Sequence, residues 1–207
     1  MCKMLKNNDF INISLLDDSI IIDMKYSYDD NFIGSKISGY NKNIAYLKNR
    51  AALQLVSAQQ ELKNKNMSFI IYDAYRPQKA SEQFFLWCYD LTDQKKKSEY
   101  YPRIEKELFF ELGYIARKST HTRGIAVDVN IYDDNNKCFL DMGGHFDLFD
   151  DRSQTINNEI TPSQLENRLF LRRIMENHGF ENYPSEWWHY SLIDQENYSE
   201  FYDFDVE

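Results

Sequence analysis

Two of the four histidines in this 207-residue chain stand in company that suits a catalytic metal. In Ser119-Thr120-His121-Thr122-Arg123-Gly124, His121 sits in a glycine-containing turn, and Asp128 follows seven residues later in an apolar run. Far downstream, Glu186-Trp187-Trp188-His189 supplies a second histidine with a carboxylate just before it. Neutral imidazole and carboxylate bind Zn²⁺ at about 2.0–2.2 Å. Two His with one Asp leave a fourth position open for water, whose pKa the ion lowers toward about 7. Glu186 is then the natural base. Residues three apart on a regular strand point to opposite faces, so this role needs a turn or bulge between Glu186 and His189; Pro184 and Ser185 make a turn reasonable.

Each of these residues also has a plainer reading. A lone histidine such as His121 is more often a turn or surface residue than a ligand. A buried Asp128 needs a partner, but an arginine or backbone donors serve as well as a metal. Trp187 and Trp188 read most simply as core or pocket wall. His178, at the end of an expected helix just before Gly179, suits the last carbonyls and the helix dipole. His145, between Gly144 and Phe146, is open between the two kinds of role. In Tyr72-Asp73-Ala74-Tyr75-Arg76-Pro77, an arginine stands where a strand ends and a helix begins. It is either a salt-bridge partner of Asp73 or a fixed cation for a developing oxyanion.

The elements that must position these side chains follow from hydrophobic spacing. Leu47, Ala51, Leu55, Ala58 and Leu62 form one stripe on a helix over 47–62 that should pack on a sheet. Phe69-Ile70-Ile71-Tyr72 reads as a buried strand. Helices are expected over 78–91, behind Pro77, and over 102–112, stopped by Gly113, with Lys95-Lys96-Lys97 as an exposed turn between them. Residues 125–131 alternate as a half-buried strand presenting Asp128. Thr161-Pro162-Ser163-Gln164 supplies an N-cap, a first-turn proline and a capping-box glutamine for a helix over 162–178.

Composition narrows the class. With 43% hydrophobic and 28% charged residues the chain can build a real core, and without repeats or linkers it reads as one domain over 1–207, its ends at 1–19 and 196–207 peripheral. The 24 basic residues against 33 acidic ones give a net charge of −9, which argues against a nucleic-acid partner. Cys2, Cys88 and Cys138 are odd in number and far apart, so no disulfide framework is supported. With no apolar leader at the start and no run of about 18 apolar residues, the expectation is a soluble, cytoplasmic protein with no membrane partner.

Taken together, the motifs resemble the D-alanyl-D-alanine dipeptidases of the vancomycin-resistance and cell-wall-recycling type, among the zinc D,D-peptidases that share a fold with Hedgehog signalling domains. The segments, in order, are Asp23-Met24-Lys25-Tyr26 with Asn31-Phe32-Ile33-Gly34, Tyr72 to Pro77, Ser119 to Gly124 with Asp128, Asp141-Met142-Gly143-Gly144-His145-Phe146-Asp147, and Glu186 to His189. The resemblance implies an α+β domain with a central, mainly antiparallel sheet flanked by helices. It implies one Zn²⁺ per subunit on His121, Asp128 and His189, Glu186 as general base and then acid, and Arg76 stabilising the tetrahedral intermediate. It further implies that Tyr26, Ser119 and Asp147 hold the termini of a small D,D-dipeptide such as D-Ala-D-Ala, with Asp147 meeting the ammonium. Gly144 departs from the pattern, where a small hydroxyl residue is expected. The rival activities are a zinc D,D-carboxypeptidase or endopeptidase acting on peptidoglycan stems, and a non-catalytic zinc-binding module of the same fold. Oligomeric state is left open.

Overall fold

Strand β4 (Met67–Asp73) and strand β5 (Ala126–Asp133) form the centre of the molecule because both are apolar enough to be buried on two faces. In this computed structural model, which describes residues 9–193 and 199–207, they pair antiparallel with Ile71 opposite Val129. The sheet extends in the order β2-β4-β5-β8-β7, with β2 (Ile21–Ile22), β7 (Phe180–Asn182) and β8 (His189–Leu192), while β6 (Cys138–Phe139) pairs with β5 off this path. Only the short β2 pairing with β4 is parallel among these ladders. A separate ribbon pairs β1 (Phe10–Asn12) with β3 (Tyr46–Lys48).

The expected helices at 47–62, 78–91 and 162–178 are found as α1 (Asn49–Lys63), α2 (Gln78–Tyr89) and α4 (Pro162–Asn177). The capping box at the start of α4 is complete: Thr161 caps the Gln164 N–H, and the Gln164 side chain accepts the Thr161 N–H. Helix α1 packs on β4, α4 on β7, and the two helices on each other. The lysine run opens the short helix α3 (Lys97–Tyr100).

Three expectations change. No helix spans 102–112; one 3₁₀ turn at Lys106–Leu108 and looser turns replace it. The apolar residues Leu108, Phe109, Phe110 and Leu112 encircle the axis, so a helix would have no single stripe to bury. Instead Phe109 alone is sunk, and Lys106 donates to the Asp90 and Asp93 carbonyls beyond α2 at 2.7 and 3.0 Å. Strand β5 is covered on both faces, not one. The described ends are not peripheral: Phe10, Ile13 and Val206 are core residues, and Phe204 stacks on Tyr75 with ring centroids 4.1 Å apart. Apolar side chains at the ends are drawn in because joining the core removes their surface from water. Cys2 and the start of the chain lie outside the described residues. Among the described residues, no helix is long and apolar enough to cross a membrane.

Candidate active site

The site begins at a turn. His121 opens a single 3₁₀ turn (His121–Arg123) that closes on Gly124 at φ 74°, a left-handed conformation. A Cβ at Gly124 would lie 2.2 Å from the Phe10 ring, so glycine is required for both conformation and space. From there the chain enters β5, where alternation sends Asp128 to the face opposite Val127 and Val129. Strand β8 pairs antiparallel with β5 so that His189 stands directly across from Asp128. Two consecutive turns, Glu186 N–H to the Tyr183 carbonyl and His189 N–H to the Glu186 carbonyl, deliver Glu186 just before β8. This is the break in strand geometry that the sequence required.

Three ligand atoms form a nearly equilateral triangle. His121 Nε2 is 3.2 Å and His189 Nδ1 3.0 Å from Asp128 Oδ1, and the two ring nitrogens are 3.1 Å apart. A tetrahedral ion with ligands at about 2.0–2.1 Å separates them by about 3.3 Å, so the triangle already has the size of one face of such a site. The tautomers agree with this. His121 Nδ1 faces the Ala74 carbonyl at 2.7 Å and must donate to it, which leaves a lone pair on Nε2. His189 Nε2 lies 3.3 Å from Thr120 Oγ1 and 3.2 Å from Ser191 Oγ, which can accept its hydrogen and leave Nδ1 free. Three acceptors then point at one spot, an arrangement made favourable by a cation. The donor set therefore fits a zinc ion.

Glu186 stands half-buried beside this triangle, with Oε2 3.9 Å from His189 Nδ1. Burial, reinforced by the charge of Asp128, pushes its carboxyl up to about 8. A cation among the three donors would draw it back down. Arg76 makes the salt bridge to Asp73 and still reaches the cavity. Its Nε and Nη2 each lie 2.9 Å from Asp73 Oδ2, whose other oxygen accepts the Tyr40 hydroxyl at 2.6 Å. The same guanidinium lines the cavity over the rings of Tyr26 and Phe84, with Nη2 3.9 Å from Asp128 Oδ2. Asp73 thus holds the cation in place without removing it from the site.

The cavity has a volume of about 680 Å³, and Asp147 stands on its wall. The Tyr26 hydroxyl donates to Asp147 Oδ2 at 2.8 Å, and both are buried. Burial, then the charge of Asp128, raises the Asp147 carboxyl well above the usual range, against the Tyr26 bond that lowers it. A ligand ammonium would relieve that cost. Ser119 also lines the cavity; its Oγ accepts the His121 N–H at 3.2 Å, leaving its own hydrogen to donate.

A family model described as D-Ala-D-Ala dipeptidase matches residues 6–207. The chain belongs to the D-Ala-D-Ala dipeptidase family. It is 36% identical over 185 residues to a D-alanyl-D-alanine dipeptidase of Enterococcus faecium, covering 89% of this chain and 92% of that protein. It is 34% identical to one of Enterococcus faecalis, covering 96% and 98%. A solved vancomycin-resistance D,D-pentapeptidase in complex with Zn(II) aligns at a TM-score of 0.45 and 16% identity, over 87% of this chain and 90% of that one.

The eight candidate site residues line a single shared cavity in this dipeptidase-family chain: Tyr26, Arg76, Ser119, His121, Asp128, Asp147, Glu186 and His189. His178 stays apart, its Nδ1 2.9 Å from the Ile174 carbonyl at the end of α4. Sequence reading passed over Thr120, Ser191, Tyr40 and the Ala74 carbonyl, which orient the histidines and Asp73. For Ser191 a signal existed, since it follows His189 by two on a strand and so shares its face. The Ala74 carbonyl carries no side-chain signal at all.

Proposed function

We infer that this chain is a zinc-dependent dipeptidase hydrolysing D-Ala-D-Ala to two D-alanines. The observation that carries the reading is the His121, Asp128 and His189 triangle with Glu186 beside it, in a cavity that also holds Asp147. His121, Asp128 and His189 would hold the ion. When bound, it supplies Lewis acidity to a carbonyl oxygen and lowers the pKa of water.

The chain's own residues do the rest. Glu186 takes a proton from the attacking water and returns it to the leaving amine, a task that suits a carboxyl whose burial raises its proton affinity. Arg76, fixed by Asp73, offers a positive charge to the oxygen that becomes anionic in the tetrahedral intermediate. Asp147 and Tyr26 receive the free ammonium, and Ser119 has a hydroxyl hydrogen for the carboxylate end. A closed ammonium site at one end favours a dipeptide over a long stem peptide.

The test is D-alanine release from D-Ala-D-Ala and from a stem pentapeptide ending in D-Ala-D-Ala, before and after chelation and zinc return. Activity confined to the dipeptide and restored by zinc is the expected result. Preference for the pentapeptide would move the chain to the carboxypeptidase branch, and zinc-loaded protein inert on both would overturn the hydrolytic reading.

A further inference from the structure

His145 stands two residues before Asp147 in the turn that presents that carboxylate to the cavity. Its ring meets two oxygens: Nδ1 is 2.7 Å from the Phe146 carbonyl, and Nε2 is 3.0 Å from the Glu99 carbonyl in α3. A carbonyl oxygen has no hydrogen to give, so each nitrogen must be the donor, and a ring that donates from both nitrogens is an imidazolium. Either neutral tautomer would turn a lone pair toward one of the oxygens.

The turn is anchored symmetrically. Two residues after Asp147, the Phe149 N–H donates to the Tyr100 carbonyl at 2.7 Å. Residues on either side of Asp147 are thus tied to consecutive carbonyls of α3. Such anchoring is needed because Asp147 holds φ at 60°, in the left-handed region that a non-glycine residue keeps only when its surroundings enforce it.

The ring itself faces a second cavity of about 660 Å³ that shares no lining residue with the first. The titratable and charged groups around it come from four places. Helix α3 brings Tyr100, edge-on at 4.9 Å, and Glu99, paired with Lys96 at 2.8 Å. Across the cavity stand Asp23 and Asp30, both 3.0 Å from Lys25. The loop itself carries Asp141 and Asp147, and Arg168 of α4 approaches Gly144. Among the described residues, the two carbonyls are the ring's hydrogen-bond partners.

We propose that His145 is a positioning residue, a two-ended clamp that in its imidazolium form holds Asp147 where the dipeptide's ammonium is received. The proposal rests on the functional reading of Asp147 given above. A ring that has lost its second hydrogen can hold only one of the two carbonyls, so one end of the clamp opens. Substrate affinity then falls while the chemical step is unchanged. Arginine at this position would keep its charge and several donors throughout the pH range of an assay.

Zinc-loaded wild type, His145→Ala and His145→Arg are compared for KM and kcat on D-Ala-D-Ala between about pH 5.5 and 8.5. At about pH 6, His145→Ala is expected to raise KM about tenfold with kcat within about twofold. His145→Arg should keep the low KM and lack the rise with pH that wild type shows. Nitrogen-15 NMR of histidine-labelled protein, with the His145 signals identified by their loss in His145→Ala, should show both ring nitrogens protonated at about pH 6. A neutral ring there, or a His145→Ala KM within about twofold of wild type at every pH, would overturn the clamp. If wild type fails to hydrolyse the dipeptide, the functional reading falls, and the NMR spectrum still decides the state of the ring.

Discussion

Two buried aspartates, Asp128 and Asp150, are held ionised by opposite means. Asp150 accepts from Arg103 through Nε and Nη2, one edge of its guanidinium, and from Arg152 through Nε at 2.9 Å, Nη2 at 3.2 Å and the backbone N–H at 2.9 Å. Burial alone would raise its carboxyl, but these bonds outweigh burial and hold it well below the usual range. Its partners are permanent cations of the chain, so the cluster is electrically closed. Burial likewise opposes the charge on Asp128, and His121 and His189 outweigh it only by donating a proton toward it, the place that a metal cation would otherwise take. Those partners are imidazoles, which become cations only by gaining a proton and whose lone pairs otherwise point at the carboxylate. A buried carboxylate closed by guanidinium groups holds loops together; one whose nearest partners are imidazoles, with the Arg76 guanidinium farther off at 3.9 Å, has a place for an added cation.

Breaking each aspartate in turn should separate the two roles. Asp128→Asn is expected to lose both stoichiometric zinc, measured by atomic emission, and hydrolysis. Glu186→Gln should keep the zinc while turnover falls by about 10²–10⁴, and full activity in that variant would remove Glu186 from the reaction. Arg76→Ala should lower turnover by about 10²–10³; a negligible change would leave it only its salt bridge to Asp73. Asp150→Asn should leave zinc content and turnover intact. Its cost is stability, about 1–2 kcal/mol by urea unfolding, because both arginine partners are partly exposed and solvent screens what a fully buried pair would lose.

The same contrast has opposite signs in pH. The depressed Asp150 carboxyl contributes stability that is full above the unfolded value of about 3.9 and is lost as pH falls through the lower folded value. Wild type should therefore lose melting temperature below about pH 4 more steeply than Asp150→Asn, and parallel curves would show that the arginines do not hold the charge. Glu186 is raised in the metal-free protein, so its contribution is full below about pH 4.3 and is lost as pH rises toward about 8. The gain in melting temperature on adding zinc should thus grow across that window, helped by release of ligand protons, and a pH-independent gain would argue against an ion beside Glu186.

The smallest expected effect concerns Gly144. Arg168 is buried, with Nη2 lacking a partner, and a Cβ built on Gly144 would lie 4.0 Å from that nitrogen. Gly144→Ser should supply an acceptor and stabilise the fold by about 0.5–1 kcal/mol, less whatever the Leu148 methyl at 3.2 Å takes back. Unchanged or lower stability would show that the hydroxyl does not reach Arg168.

What the sequence determined by itself was local or carried by residue type. Apolar spacing and the Thr161–Gln164 box were sufficient for α1, α2 and α4, because a helix is encoded within one or two turns of its own residues. The candidate ligands His121, Asp128 and His189, with Glu186 beside them, were legible because few side chains can ligate a metal or move a proton; Arg76 was open between two roles, and Tyr26, Ser119 and Asp147 stood out only through the family resemblance. The helix expected at 102–112 failed where the decision was not local: Lys106 is captured by carbonyls at 90 and 93, and no stripe existed to resist it. Only the tertiary structure decided that Asp128 and His189 are cross-strand neighbours, that Asp73 holds Arg76 in the cavity wall, and that His145 bridges two carbonyls. Those facts depend on strand register and on backbone oxygens, and a carbonyl oxygen is the same atom in every residue, so no pattern of side chains announces where it will be.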